Sequence, residues 1–155
     1  MAARARAGAP ANLTVHEADA MTVDLPSGGY DAVVGMSSLH HLPLAPALER
    51  MAGWLRPGGV LALIALPRTD LPLDAPVEAA AVLGHRVLGT VWATGRWVTG
   101  RPLFAHGAEV GLMPVREPEL TTREVRATAS AVLPGARVRR LVFWRYLLTW
   151  TGPVP

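Results

Sequence analysis

Residues 30–66 decide the fold. Tyr30-Asp31-Ala32-Val33-Val34-Gly35-Met36 is almost unbroken apolar, Ser37-Ser38-Leu39-His40-His41-Leu42 follows, and Val60 to Leu66 is apolar again. Apolar runs of this length are the pattern of strands covered on both faces, as in a parallel sheet flanked by helices. Between them Pro46 suits a first helical turn, and Leu48, Met51, Ala52 and Leu55 fall at i, i+3, i+4 and i+7, which predicts an amphipathic helix. The helix is expected to stop at Arg56-Pro57-Gly58-Gly59, where proline cannot continue the ladder and glycine tolerates positive φ. Strand, helix and strand then close a right-handed parallel unit.

Upstream, Leu13 and Val15 alternate with Thr14 and His16 before Asp19-Ala20, which predicts a short strand, and Leu25-Pro26-Ser27-Gly28-Gly29 is turn material. Downstream, Asp74 is a plausible N-cap for a helix in which Val77, Ala80, Ala81, Gly84, Val87, Leu88 and Val91 hold helical spacing, ending near Arg96 to Gly100. Glu78, His85, Arg86 and Arg96 interrupt it too often for a bilayer span, which wants about 20 largely apolar residues. It reads as a helix over the sheet or over a substrate pocket; the alternative is an interfacial helix with Trp92 and Trp97 at the headgroups. Gly100 to Pro118 reads as loop. Thr121-Thr122-Arg123-Glu124 is a capping box, followed by a helix lined by Val125, Ala129 and Val132 and ended by Leu133-Pro134-Gly135. Arg137 to Trp150 is β-rich and long enough for two strands, with Tyr146, Leu148 and Trp150 on one face and Arg145, Leu147 and Thr149 on the other. No internal repeat or composition break divides residues 1–155, so one α/β domain is expected.

Half of the 155 residues are hydrophobic and 17% are charged, which supports a buried core and excludes a disordered chain. With no cysteine, disulfides, thiolate nucleophiles and cysteine-ligated metals are excluded. His16, His85 and His106 show no ligand spacing with His40 and His41, so no metal is predicted. All 15 basic residues are arginine. Residues 1–120 hold 9 Arg against 11 acids, and residues 121–155 hold 6 Arg against Glu124 alone. Those C-terminal arginines alternate with Val138, Leu141 and Phe143 as the wet face of a sheet would, so neither nucleic acid nor membrane is the expected partner. Met1 to Pro10 leads into no apolar block of signal-peptide length, which makes a cytoplasmic location the default. Trp92, Trp97, Trp144 and Trp150 read as core or cover, not as stacking platforms.

In open parallel α/β sheets ligands sit beyond the carboxyl ends of the strands. Two such ends carry chemistry here: Asp19-Ala20-Met21, and Met36-Ser37-Ser38-Leu39-His40-His41. A carboxylate at one and small polar residues with imidazoles at the other suit a nucleoside bearing a reactive group. His40 and His41, if on a strand, face opposite ways, so at most one of them points into a pocket. The order Glu17-Ala18-Asp19-Ala20, Leu25-Pro26, Tyr30-Asp31-Ala32-Val33-Val34, Ser38-Leu39-His40-His41-Leu42 and Leu55-Arg56-Pro57-Gly58-Gly59-Val60-Leu61 resembles a class I S-adenosylmethionine-dependent methyltransferase. The ending from Leu133 through Trp144-Arg145-Tyr146 to Trp150 is similar to that family's C-terminal antiparallel pair. The resemblance is poorest across Asp70 to Pro118.

The resemblance implies a Rossmann-like sandwich, mostly parallel with a C-terminal antiparallel strand pair, and S-adenosylmethionine as cofactor. It places Asp19 near the adenine amine with Ala20 and Met21 lining the base, and Met36, Ser37 and Ser38 under the methionine half. His40 and His41 then lie near the sulfonium and a small-molecule acceptor, one orienting the substrate or taking its proton. The acceptor itself is not legible, although the apolar Asp70 to Pro118 segment hints at a hydrophobic one. The family's glycine-rich loop, and the acid that ends its second strand, have no counterpart in this sequence. Met1 to Gly8 resembles the tail of the helix after that strand, so the chain is expected to begin mid-domain, missing its first two strands. By the family's strand order that leaves a gap of ~14 Å beside the Tyr30 to Met36 strand. The strand would then present a hydrophobic edge that the Leu13 strand or a partner chain must cover. Three readings follow: a methyltransferase, inactive if truncated; a non-catalytic module that completes its sheet with a partner; and a basic domain meeting membrane or nucleic acid.

Overall fold

The computed structural model describes residues 6–71, 74–100 and 116–154. In chain order the elements are β1 (Tyr30–Met36), a 3-10 turn (Leu39–His41), α1 (Leu44–Trp54), β2 (Leu55–Ala65), α2 (Ala75–Thr99), α3 (Thr122–Val132), β3 (Arg137–Leu141) and β4 (Arg145–Thr151). The sheet order is β1-β2-β4-β3. β1 pairs with β2 in parallel, and β4 pairs antiparallel with both β2 and β3. Three strands therefore run one way and β4 the other, a mixed sheet closed at its C-terminal side by the expected antiparallel pair.

The helix α1 forms because Leu44, Ala47, Leu48, Met51 and Trp54 fall on one stripe, and all five are buried. They meet Leu61 and Leu63 of β2, Tyr146 and Leu148 of β4, and Val125 and Ala129 of α3 in one core. Leu48, Leu61 and Leu148 are fully excluded from solvent, each contributing about 1.5–3 kcal/mol relative to exposure. The split of β4 into a buried Tyr146, Leu148 side and a wetter Arg145, Leu147, Thr149 side is as its alternation predicts. α2 runs from an N-cap at Asp74 to a C-cap at Gly100, whose φ of 63° closes the helix in the left-handed region. The capping box is present in full: the Thr121 hydroxyl accepts from the Glu124 amide at 3.2 Å while the Glu124 carboxylate accepts from the Thr121 amide at 2.7 Å.

Five expectations are corrected. Residues 12–18 form no strand, and Leu13 is half exposed, its amide donating to the Pro10 carbonyl at 2.9 Å. Alternation makes a strand only where a partner edge is offered, and none of the described strands pairs with it. β1 is not covered on both faces: it is the edge strand, with Val34 77% and Met36 72% exposed. β2 begins at Leu55, which leaves the helix and is buried; Tyr30 lies opposite Leu55 and Ala32 opposite Val60, so Arg56 to Gly59 is an outward bulge within the strand. Glycine is needed there, since Gly58 has φ +73° and a Cβ on Gly59 would lie 2.8 Å from the Arg56 carbonyl. An Arg56–Asp31 ion pair spans its exposed side.

Arg140 does not belong to a solvated face. Its side chain is 11% exposed and reaches Glu78 of α2 at 2.6 Å and Asp74 at 3.9 Å. Trp97 is neither core nor cover, at 86% exposed. Of the Gly100 to Pro118 loop, residues 101–115 lie outside the described residues. Among the described residues no helix is long and apolar enough to cross a membrane, and no group of three or more His, Cys, Asp or Glu is placed to hold a metal.

Candidate functional site

Asp19 builds its own turn. Its Oδ1 accepts from the Met21 amide at 2.8 Å, and its carbonyl accepts from the Thr22 and Val23 amides, an Asx-type turn that fixes Ala20 and Met21. Arg50 of α1 holds this turn in place: Nε donates to the Ala20 carbonyl at 3.0 Å, and the guanidinium also donates to the Val23 carbonyl. The same guanidinium lies 5.6 Å from the Trp54 ring centroid, a cation–π contact. Asp19 Oδ2 has no partner among the described residues, which leaves it free to accept from an amine.

At the carboxyl end of β1, Ser37 takes φ 55°, a left-handed conformation uncommon outside glycine, and its amide donates to the Ile64 carbonyl at 2.7 Å. The bend continues as Ser38 opens the 3-10 turn and its carbonyl accepts from the His41 amide at 3.0 Å. The two imidazoles therefore sit on a tight turn, not a strand, and the expected opposition of their faces does not hold: their centroids are 4.1 Å apart. His40 lines a small cavity of about 130 Å³ with Leu66, Leu120, Val125 and Tyr146. Its Nδ1 is buried and unpartnered among the described residues. Burial first, and the neighbouring His41 second, push the His40 pKa below its ordinary 6.5, so the ring is neutral at pH 7. Tyr146, pushed up to about 12 by burial, stays a neutral phenol beside it.

The structure thus brings Asp19, Ala20 and Met21 into one turn, and Met36, Ser37, Ser38, His40 and His41 into another. No hydrogen bond or ion pair joins the two groups among the described residues; α1 carries both, with the second at its N-terminus and the first anchored by Arg50. Two contributors escape sequence reading. Arg50 sits on the polar side of an amphipathic helix, where nothing distinguishes it from a solvated arginine. Tyr146 reads from its alternation only as a strand-face residue, and the three-dimensional fold alone places it on the same cavity as His40.

Residues 1–63 match a family model described as a methyltransferase domain. A Mycobacterium tuberculosis protein described as an uncharacterized methyltransferase is 35% identical over 138 residues, covering 88% of this chain and 63% of the relative. The chain therefore spans 63% of the length of the curated relatives it matches. Among solved structures, a SAM-dependent methyltransferase from Aquifex aeolicus superposes with TM-score 0.55 at 14% identity, over 96% of this chain and 60% of that one. The [4+2]-cyclase SpnF superposes with TM-score 0.57, also at 14% identity, over 99% of this chain and 62% of that one. These findings make the chain similar to methyltransferases, through a domain match over its first 63 residues and a relative aligned over 88% of its length, and give it the Rossmann-like fold of solved methyltransferases. The fold also hosts a protein described as a cyclase, so the reaction has to be argued from the site.

Proposed function

We propose that the chain carries out methyl transfer from S-adenosylmethionine to a small-molecule acceptor, with the Met36–His41 segment at the reacting end. The observation that carries this reading is the unpartnered, buried Nδ1 of His40 in a cavity beyond the ends of β1 and β2, in a chain whose first 63 residues match a methyltransferase domain. S-adenosylmethionine supplies a methyl group already activated on a sulfonium. The protein then has to position the acceptor, exclude water and receive a proton. His40, neutral at pH 7, takes that proton, and His41 orients the pair; Met36, Ser37 and Ser38 floor the methionine half. Asp19 offers Oδ2 to the adenine amine while Ala20 and Met21 line the base. A cytoplasmic setting belongs to the same reading, since the donor is a polar metabolite of that compartment. No nucleic-acid partner is part of it: Arg140, one of the six C-terminal arginines, is consumed by Glu78 and Asp74.

The first test is a thermal melt of the 155-residue chain with and without S-adenosylhomocysteine. A ligand at a hundred times its Kd adds about 2.7 kcal/mol to a folded binder, so an upward shift is expected and an indifferent melt refutes cofactor binding by this chain. Once an acceptor is found, His40→Gln should cut turnover while leaving the homocysteine-product shift intact. Because the His40 pKa lies below 6.5, wild-type activity should hold at pH 7 and fall as acid protonates the ring; the variant should lack that limb. A second reading is favoured by the open edge of β1 with Val34 and Met36 exposed: a strand from another polypeptide pairs there and completes the sheet. An indifferent melt together with a chain that is monomeric at every concentration and retains no partner strand would leave neither reading standing.

A further inference from the structure

A second cavity, of about 560 Å³, opens between α2 and the β3–β4 turn, within the range of small-molecule sites, roughly 300–1,000 Å³. Leu88 and Trp92 of α2 form one wall, and Phe143 and Trp144 of the turn form the other. Gly89 lies between them, and a Cβ there would meet nothing within 4 Å, so the absent side chain gives the cleft its depth. Two cations line it: Arg96 and Arg145. Neither makes an ion pair with any described residue. Glu78, an acid on the same helix, is taken by the Arg140 guanidinium and the Trp144 indole N–H.

The turn is itself under strain. Phe143 and Trp144 both have φ of 59°, a region that costs a bulky residue on the order of 1–3 kcal/mol. Glycine or asparagine would make this turn without that cost. What holds the aromatic pair there is α2: the Phe143 ring lies where a Cβ on Gly84 would touch it at 3.5 Å, and Trp144 donates to Glu78. Strain is thus retained at two rings that face a cleft holding two guanidiniums without an ion-pair partner among the described residues. Leu66, the residue after β2, lines both this cleft and the His40 cavity, so the two spaces are neighbours at the same end of the sheet.

We infer that this cleft binds a ring-bearing organic anion, its ring between the Trp92 and Phe143–Trp144 walls and its acidic group on Arg96 and Arg145, and that this molecule is the acceptor of the proposed transfer. The role as acceptor rests on the methyltransferase reading; the binding site does not. The test is calorimetric titration of the 155-residue chain with 2-naphthoate and with its neutral isostere 2-naphthamide. Naphthoate should bind at least about fivefold more tightly, and Arg96→Gln or Arg145→Gln should bring the two towards parity. Gly89→Leu fills the cleft at a position with open space and should abolish binding of both without lowering the melting temperature. Equal affinity of acid and amide, or unaltered binding in Gly89→Leu, overturns the site. Binding of the chain to phosphatidylglycerol vesicles with no binding of naphthoate overturns it in favour of a membrane surface. The two readings separate cleanly: a melt shifted by S-adenosylhomocysteine without naphthoate binding removes the acceptor class alone, and naphthoate binding without that shift removes methyl transfer and leaves the cleft.

Discussion

α3 and α2 are both amphipathic by sequence, yet they are held by opposite means. α3 is 11 residues, rich in polar groups, and buries Thr122, Val125 and Ala129 against α1 and β3. α2 is 25 residues and far more apolar, yet Ala81 is its one buried residue among those described. Leu83, Val87, Val91 and Val98 remain 54–70% exposed. Hydrophobicity fixes a helix only where another element offers it a complementary face. α3 has such a face, whereas α2 is tethered at its first turns by Arg140 and steadied by the aromatic turn. Elements held by few buried contacts are those from which binding walls and moving parts are drawn.

The strongest way to break the contrast is to cut the tether. Arg140→Met keeps the apolar stem and removes the charge, leaving Glu78 and Asp74, 18% and 15% exposed, without the guanidinium that pairs with both. The expected cost is about 3 kcal/mol, and it should be local: amide exchange should accelerate throughout α2 while protection in β2 and β4 is kept. Uniform loss of protection would mean that α2 and the sheet unfold together, and that the two helices are not held differently after all.

Within α3, Val125→Ala removes two methyl groups from a side chain 2% exposed, for about 2 kcal/mol. Unlike the loss at Arg140, this one should be global, lowering the midpoint of denaturant unfolding for the whole core. Thr121→Ala comes next, at about 1 kcal/mol, because it deletes the hydroxyl that satisfies the Glu124 amide. The Thr121 amide and hydroxyl also hold the Glu124 carboxyl below its usual range. A depressed folded-state value means that the unfolded chain binds the proton more readily, so this increment is present above the unfolded pKa and is lost as pH falls through the folded one. In Thr121→Ala that part of the acid sensitivity should shrink.

The sequence carried the same division. Where an element's pattern and its partner lie close in the chain, both were legible: β1, α1 and β2, the capping box of α3, the β3–β4 pair, and even α2 from Asp74 to Gly100. What failed depended on distant geometry. Leu13 and Val15 alternate like a strand but have no paired edge. Arg140 alternates like a wet residue but meets Glu78, 62 positions away. Asp19, Ser37 and His40 stood out because they lie beside strand ends or in turns. Arg50, which holds the Asp19 turn, left no signal, since an arginine on a helix reads the same whether it binds a carbonyl or water. The positive φ of Phe143 and Trp144 was equally silent, because nothing local favours it; α2 imposes it.

The gentlest test bears on the exposed face of α2. Val87, 54% exposed, lies away from the cleft. Val87→Ala removes a β-branched side chain that costs the helix a few tenths of a kcal/mol. If solvent covers that face, stability should change by less than about 0.5 kcal/mol and in the favourable direction. A loss above about 1 kcal/mol would require that Val87 be buried in solution. Since no described residue buries it, the cover would have to come from another copy of the chain or from residues outside the described set. Protein concentration separates these: a melting temperature that rises on tenfold concentration in the wild type, and does so less in Val87→Ala, assigns the face to self-association. A loss independent of concentration assigns it to the chain's own residues, and α2 would then be held as α3 is, by a buried face.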